Sequence, residues 1–253
     1  MSSVITVSTQ KGGVGKTTTA GALGAALHAR GYRVLYVDLD AQANLTYSAG
    51  IDAPRITALE ILEGTATAAE ARIATPQGDI IPAAPALASA EIIFRETGKE
   101  YRLREALEPI RAEYDFIILD TPPALGILTI NALTAADRVI IPAQADIYSL
   151  QGIGQLAQTI GTIKRYTNQG LKIGGLLITR YNARALLSRD VSEMLEDTAR
   201  ELGTQVYRAR IRECIALKEA QARRLDIFTY SPRSNAAADY AAFTDEFLTR
   251  EEA

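Results

Sequence analysis

The sequence predicts an α/β fold, a doubly wound and mostly parallel sheet with helices on both faces. Three observations predict it. Short β-branched runs alternate with helical patterns along the chain, the runs are apolar at consecutive positions, and a glycine-rich turn joins the first run to the first helix. Strands apolar on both faces need a helix layer on each. Right-handed crossovers then leave ligand space at the carboxyl ends of the strands.

The first strand is expected at "VITVS", Val4 to Ser8. A glycine loop follows, then "TTTAGALGAALHARG", small and apolar residues in a helix closed by Gly31. "RVLYVDLD" (Arg33 to Asp40) predicts a second strand, and "YDFIILD" (Tyr114 to Asp120) another, stopped by Pro122 and Pro123. "RVIIPA" and "KIGGLLITRY" repeat the pattern. Residues 64–98 are rich in Ala, Thr and Pro, yet "DIIPAAPAL" and "AEIIF" predict a short strand and a helix inside the domain. The chain is therefore read as one domain, residues 1–253. Its end, "SNAAADYAAFTDEFLTREEA", predicts an amphipathic helix with an acidic last turn.

Composition excludes several classes. With 47 % hydrophobic and 23 % charged residues, the 253-residue chain has material for a sizeable core. It has no apolar run of roughly 18 residues and no secretory leader pattern, so a cytoplasmic protein without a membrane partner is expected. One cysteine, Cys214, excludes an internal disulfide and a multi-cysteine metal site within one chain. Net charge is −3, which argues against an overall basic coat but not against a local basic patch.

The stretch "STQKGGVGKTTT" carries the chemistry. Glycines 12, 13 and 15, with Val14 between them, let backbone N–H groups converge on phosphate oxygens with no Cβ in the way. The helix N-terminus adds its partial positive charge. Lys16 is expected on the β- and γ-phosphates, Thr17 on Mg²⁺ and Thr18 beside them, making ATP and Mg²⁺ the expected cofactors. In an ordinary P-loop the first glycine would fall at Gln10; here the loop opens on an additional lysine, Lys11. A lysine at that end has difficulty reaching back to its own nucleotide and is expected to project outward, towards a facing copy of the chain. Asp38 and Asp40 close the second strand on one side of it, and Asp120 ends an apolar strand where a carboxylate serves Mg²⁺.

"KGGVGKTT" resembles the deviant Walker A motif of the ParA/MinD group of P-loop ATPases, whose hallmark is that additional lysine. "VDLDAQ" is similar to the family's D-x-D-x-Q motif, and "FIILDTPP" to its Walker B strand and switch. The resemblance implies a homodimer with ATP sandwiched between subunits and Lys11 acting in trans. It also implies that Asp40 positions the attacking water, Asp38 supports the Mg²⁺ shell, and Asn182 meets the adenine edge. Relatives often carry Pro-Arg at a second base-contacting segment; here Ile211-Arg212-Glu213 has no proline.

Within the family, the Soj-like branch implies non-specific binding of double-stranded DNA, a ParB-like partner, and nucleoid association when ATP is bound. Arg184, Arg189, Arg212, Lys218, Arg223 and Arg224 are the candidate DNA contacts. The competing reading pairs such arginines with Glu193, Glu196, Glu213 and Glu219 on solvated helices. A MinD-like or other cargo-positioning ATPase not acting on DNA is the alternative, although the acidic C-terminus suits anionic lipid poorly. The cysteine pair of a cluster-carrying reductase of related fold is missing. No helix-turn-helix pattern stands before the loop, so operator reading is not expected.

Overall fold

The computed structural model describes residues 2–182 and 186–251, with side chains outside 186–190. Among them runs one seven-stranded sheet: β1 (Ser3–Val7), β2 (Val34–Asp38), β3 (Ile73–Thr75), β4 (Gly78–Ile81), β5 (Phe116–Asp120), β6 (Arg138–Gln144) and β7 (Lys172–Thr179). Its order is β3-β4-β2-β5-β1-β6-β7, parallel except for the β3–β4 hairpin at one edge. The doubly wound, mostly parallel fold expected from the sequence is the fold observed.

The consecutive apolar residues of each strand divide between two cores, because side chains alternate across the pleat. Ile117, Leu119, Val139 and Ile141 face one layer, with Leu103, Leu133, Ile153 and Leu156 from its helices. Ile5, Val7, Ile118 and Ile140 face the other, with Leu23 and Leu27 of α1 (Lys16–Ala29) and Phe243 and Phe247 of the last helix.

Within residues 64–98 the expected strand and helix occur, at β4 and at Ala90–Ile93. The sequence reading missed β3, which folds back antiparallel across Gly78. That glycine has φ 122°, and a Cβ there would stand 2.6 Å from the Val34 carbonyl oxygen, so only glycine fits the turn against β2. The second strand is shorter than expected. It ends at Asp38, and Asp40 lies beyond it in a turn, so strand alternation does not relate the two carboxylates. Parallel register instead sets Asp38 beside Asp120 on the neighbouring β5. No helix among the described residues is long and apolar enough to cross a membrane.

Candidate active site

The glycine loop sits where β1 ends, at the carboxyl edge of the sheet. Gly13 (φ 75°) and Gly15 (φ 87°) are left-handed, a conformation that glycine alone adopts freely, and Gly15 caps α1. A Cβ at Gly12, Gly13 or Gly15 would meet nothing within 4 Å; these residues line an open cleft of about 520 Å³. Three loop carbonyls are tied back to side chains. Lys16 Nζ donates to Lys11 O (3.2 Å), Gln144 Nε2 to Gly13 O (3.2 Å), and Thr179 Oγ1 to Val14 O (2.7 Å). Fixing these acceptors keeps them from competing with the loop amides for the cleft, as an anion cradle requires.

Lys16 is only 7 % exposed, and its burial lowers its pKa against the opposing pull of Asp120 and Asp40. Asp120 is fully buried and neither of its oxygens accepts a hydrogen bond of ordinary geometry, the Thr17 hydroxyl standing by as its one nearby donor. Desolvation first, then the Asp38 charge, push its carboxyl well above the usual range; the nearby Thr17 hydroxyl and Lys16 pull the other way. Asp38 is also buried. Its Oδ1 accepts from Asp40 N (3.1 Å), and its Oδ2 from Thr46 N (2.9 Å) and Thr46 Oγ1 (2.7 Å). Burial still raises its pKa to about 6. Three of roughly four lone-pair directions are thereby taken, so Asp38 holds its loop more than an ion.

Asp40 stands on the cleft wall, its Oδ1 accepting from Gln42 N (3.0 Å). The turn continues to Ala43, which has φ 52°, and then into α2 (Asn44–Ser48). A left-handed alanine is strained, so Ala43→Gly is expected to raise the unfolding free energy by about 1 kcal/mol in urea titrations.

Lys11 differs from expectation. It does not project outward: Nζ donates to Gln144 Oε1 (3.3 Å) and pairs with Asp146, the residue capping the helix Ile147–Tyr166. In a single chain, a partly desolvated ammonium settles on the nearest carboxylate. Gln144, Asp146 and Thr179 were missed by the sequence reading. The signal that could have found them is their place at or just past the ends of β6 and β7.

The opposite wall includes Ile211, Arg212, Glu213, Lys218 and Gln221, whose Nε2 donates to Thr18 Oγ1 (3.0 Å). Asn182 follows β7 at the surface, next to Tyr181, whose amide donates to Ile211 O (2.9 Å). Of the basic candidates, Arg212 pairs with Asp239 (2.6 Å) and Arg224 with Asp52 (2.6 Å), partners the sequence reading did not name. Arg180, which is not one of those candidates, pairs with Glu213 (2.7 Å), a carboxylate the sequence reading did name. All three of Arg212, Lys218 and Arg223 are exposed, the first two on the cleft wall and Arg223 away from it. Arg184 and the side chain of Arg189 lie outside the described residues.

A family model described as an AAA domain matches residues 2–173. The chain is 41 % identical over 251 residues to the sporulation initiation inhibitor protein Soj of Bacillus subtilis, covering 97 % of this chain and 98 % of that one. It is 38 % identical to the chromosome partitioning protein ParA of Caulobacter vibrioides, over 98 % and 94 % of the two chains. A solved structure of cobyrinic acid a,c-diamide synthase from Mycobacterium smegmatis, with bound ADP and magnesium, superposes with a TM-score of 0.87 at 36 % identity, covering all of this chain and 96 % of that one. With the glycine loop, its two lysines and the buried strand-end carboxylates on one sheet edge, these matches make the chain a member of the ParA/Soj family of P-loop ATPases.

Proposed function

We propose that the chain, acting as one domain over residues 1–253, hydrolyses ATP with Mg²⁺ and uses the cycle to partition DNA. The observation that carries the nucleotide reading is the buried Asp120, unpartnered at both oxygens beside Lys16 and Thr17 under an open glycine cradle. A buried carboxylate this short of donors costs stability unless a cation completes it. The site therefore fits a magnesium nucleotide. Thr17 and Asp120 would hold the ion, with Asp38 behind them, and Mg²⁺ supplies positive charge against the phosphate oxygens.

The chain's own residues do the rest. Gly12, Gly13, Val14, Gly15 and Thr18 form the cradle, Lys16 neutralises phosphate charge, and Asp40 orients the attacking water. Asn182 contacts the base. Lys11 leaves Asp146 to reach the nucleotide of a second copy, so ATP loading and dimerisation are one event. Ile147 and Tyr148, 66 % and 74 % exposed directly after Asp146, are apolar surface suited to that second copy.

The ATP-bound dimer binds double-stranded DNA without sequence preference, on the nucleoid within the cytoplasm, and a ParB-like protein releases it by triggering hydrolysis. The name of the Caulobacter relative supports the partitioning task. Arg223, Arg184 and Arg189 remain the DNA contacts in this reading. Arg212, Lys218 and Arg224 become secondary, because they pair with carboxylates or line the cleft. The test is a gel shift of random duplex DNA with and without ATP. Arg223→Glu is expected to weaken the ATP-dependent shift and lower its salt slope by about 1. An unchanged shift across the salt series would move the DNA face off this helix, and no ATP-dependent shift by the wild type would sink the DNA reading.

The Mycobacterium smegmatis structure favours a second reading, in which ATP activates a carboxylate of cobyrinic acid for attack by an ammonia-level nitrogen donor, the carboxyl oxygen leaving with phosphate and ADP being released. Phosphate release that depends on cobyrinic acid rather than on DNA and a centromere-binding partner would select it.

A further inference from the structure

We infer that Thr46 is the positioning residue that holds the Asp38–Asp40 turn in its working geometry, an inference that rests on the ATPase reading above. Thr46 lies on α2, is 2 % exposed and has no place in the glycine loop or at the strand ends. Its hydroxyl is used in both senses. It donates to Asp38 Oδ2 (2.7 Å) and accepts from Ala83 N (2.9 Å), just beyond β4. Its own amide donates to the same Asp38 oxygen (2.9 Å). The other oxygen of Asp38 receives the Asp40 amide (3.1 Å).

A continuous chain therefore runs from the Ala83 amide through the Thr46 hydroxyl and the Asp38 carboxylate to the backbone of Asp40. Between Asp38 and Thr46 the turn holds a left-handed Ala43, whose amide donates to Asp40 O (2.8 Å). Strain of this kind persists only where surrounding contacts over-determine the backbone, and Thr46 supplies the tie to the sheet. Without its hydroxyl, Ala83 N loses its acceptor and Asp38 loses a donor inside the protein. The Asp40 turn would then be free to relax while the glycine loop stayed intact. Thr46 thus acts on the hydrolytic turn and not on phosphate capture.

The test compares Thr46→Val, which keeps the shape and loses the hydroxyl, with Thr46→Ser, which keeps the hydroxyl. In steady-state hydrolysis, Thr46→Val is expected to lower kcat on the order of tenfold or more with KM for ATP within about twofold, and Thr46→Ser to recover most of that loss. In nucleotide-free protein, amide exchange at Asp40 and Ala83 is expected to quicken by about tenfold in Thr46→Val and to stay near wild type in Thr46→Ser. Wild-type kcat in Thr46→Val would overturn the inference, and so would an equal loss in Thr46→Ser, which would trace the effect to packing at this position in general and not to the hydroxyl's hydrogen bonds. Should Thr46→Val not fold, Thr46→Ala takes its place under the same outcomes. Absence of hydrolysis by the wild type would strike the ATPase reading instead, and the exchange measurement would still decide the role of Thr46.

Discussion

Lys16→Ala is expected to abolish ATP binding, read as the loss of a saturable heat signal in calorimetric titration with Mg-ATP. The folded chain holds this ammonium almost wholly out of water and keeps it close to two carboxylates, Asp120 and Asp40. Its hydrogen bond is to the loop's own Lys11 carbonyl (3.2 Å), which curls the side chain back over the cradle. Removing one partner from a buried charged cluster typically costs about 3 to 5 kcal/mol. If that loss falls on nucleotide affinity, it is a factor of about 100 or more. The same change takes away the cation that pulls the Asp120 carboxyl down against burial and the Asp38 charge. Retention of affinity to within a few-fold would show that the backbone cradle alone binds the phosphates, and would remove Lys16 from its role.

The second large effect concerns Asp120, where activity and stability are expected to move in opposite directions. Asp120→Asn should eliminate Mg²⁺-dependent hydrolysis while raising the melting temperature of the nucleotide-free protein at neutral pH. The fully buried carboxylate is held unpartnered beside Asp38, and an amide at that place carries no charge to desolvate. The pH dependence follows with a definite sign. Both carboxyls have folded-state pKa values raised above the unfolded one, chiefly by burial, that of Asp38 to about 6. The native state therefore binds more protons than the unfolded chain in the intervening window. The contribution of this pair to stability should fall as pH rises from about 4 through about 6, the reverse of a salt-bridged aspartate such as Asp115, and is read as the difference between wild type and Asp120→Asn. Thermal melts across that range, without nucleotide or metal, check the slope, and Asp120→Asn should flatten it. A difference between wild type and Asp120→Asn that has the other sign would mean that the pair is already compensated by a cation in the free protein.

Much of the site is local, and local features can be read without a fold. Strand, glycine loop and helix are contiguous, so the positions of Lys16 and Thr17 at the start of α1 were legible from Gly12 to Thr18. The strand-end place of Asp120 was equally legible, because four apolar residues and two prolines bracket it. Lys11 was legible as an anomaly but not in its conformation. Its partners Gln144 and Asp146 lie more than a hundred residues away, and nothing in the spacing of either segment links them to the loop. The arginines of the late segments show the same limit. Sequence proximity suggested Glu213 and Glu219, whereas Arg212 found Asp239 on the last helix and Arg224 found Asp52 after α2. The hairpin β3–β4 was missed because a three-residue strand gives too short a periodicity to detect.

The amino-acid order alone determined the layered fold, the phosphate cradle, the family and the identity of the charged side chains at the sheet edge. All of these depend on residues close together in the chain, where torsional preference and side-chain periodicity act. Tertiary structure decided which carboxylates are buried, which oxygens keep a donor, and where each long cationic side chain comes to rest. Parallel register set Asp38 beside Asp120, and the turn to α2 placed Thr46 against both Asp38 and Ala83. Desolvation and hydrogen-bond geometry depend on what stands within a few ångströms in space, and that is a property of the packed sheet rather than of any one segment.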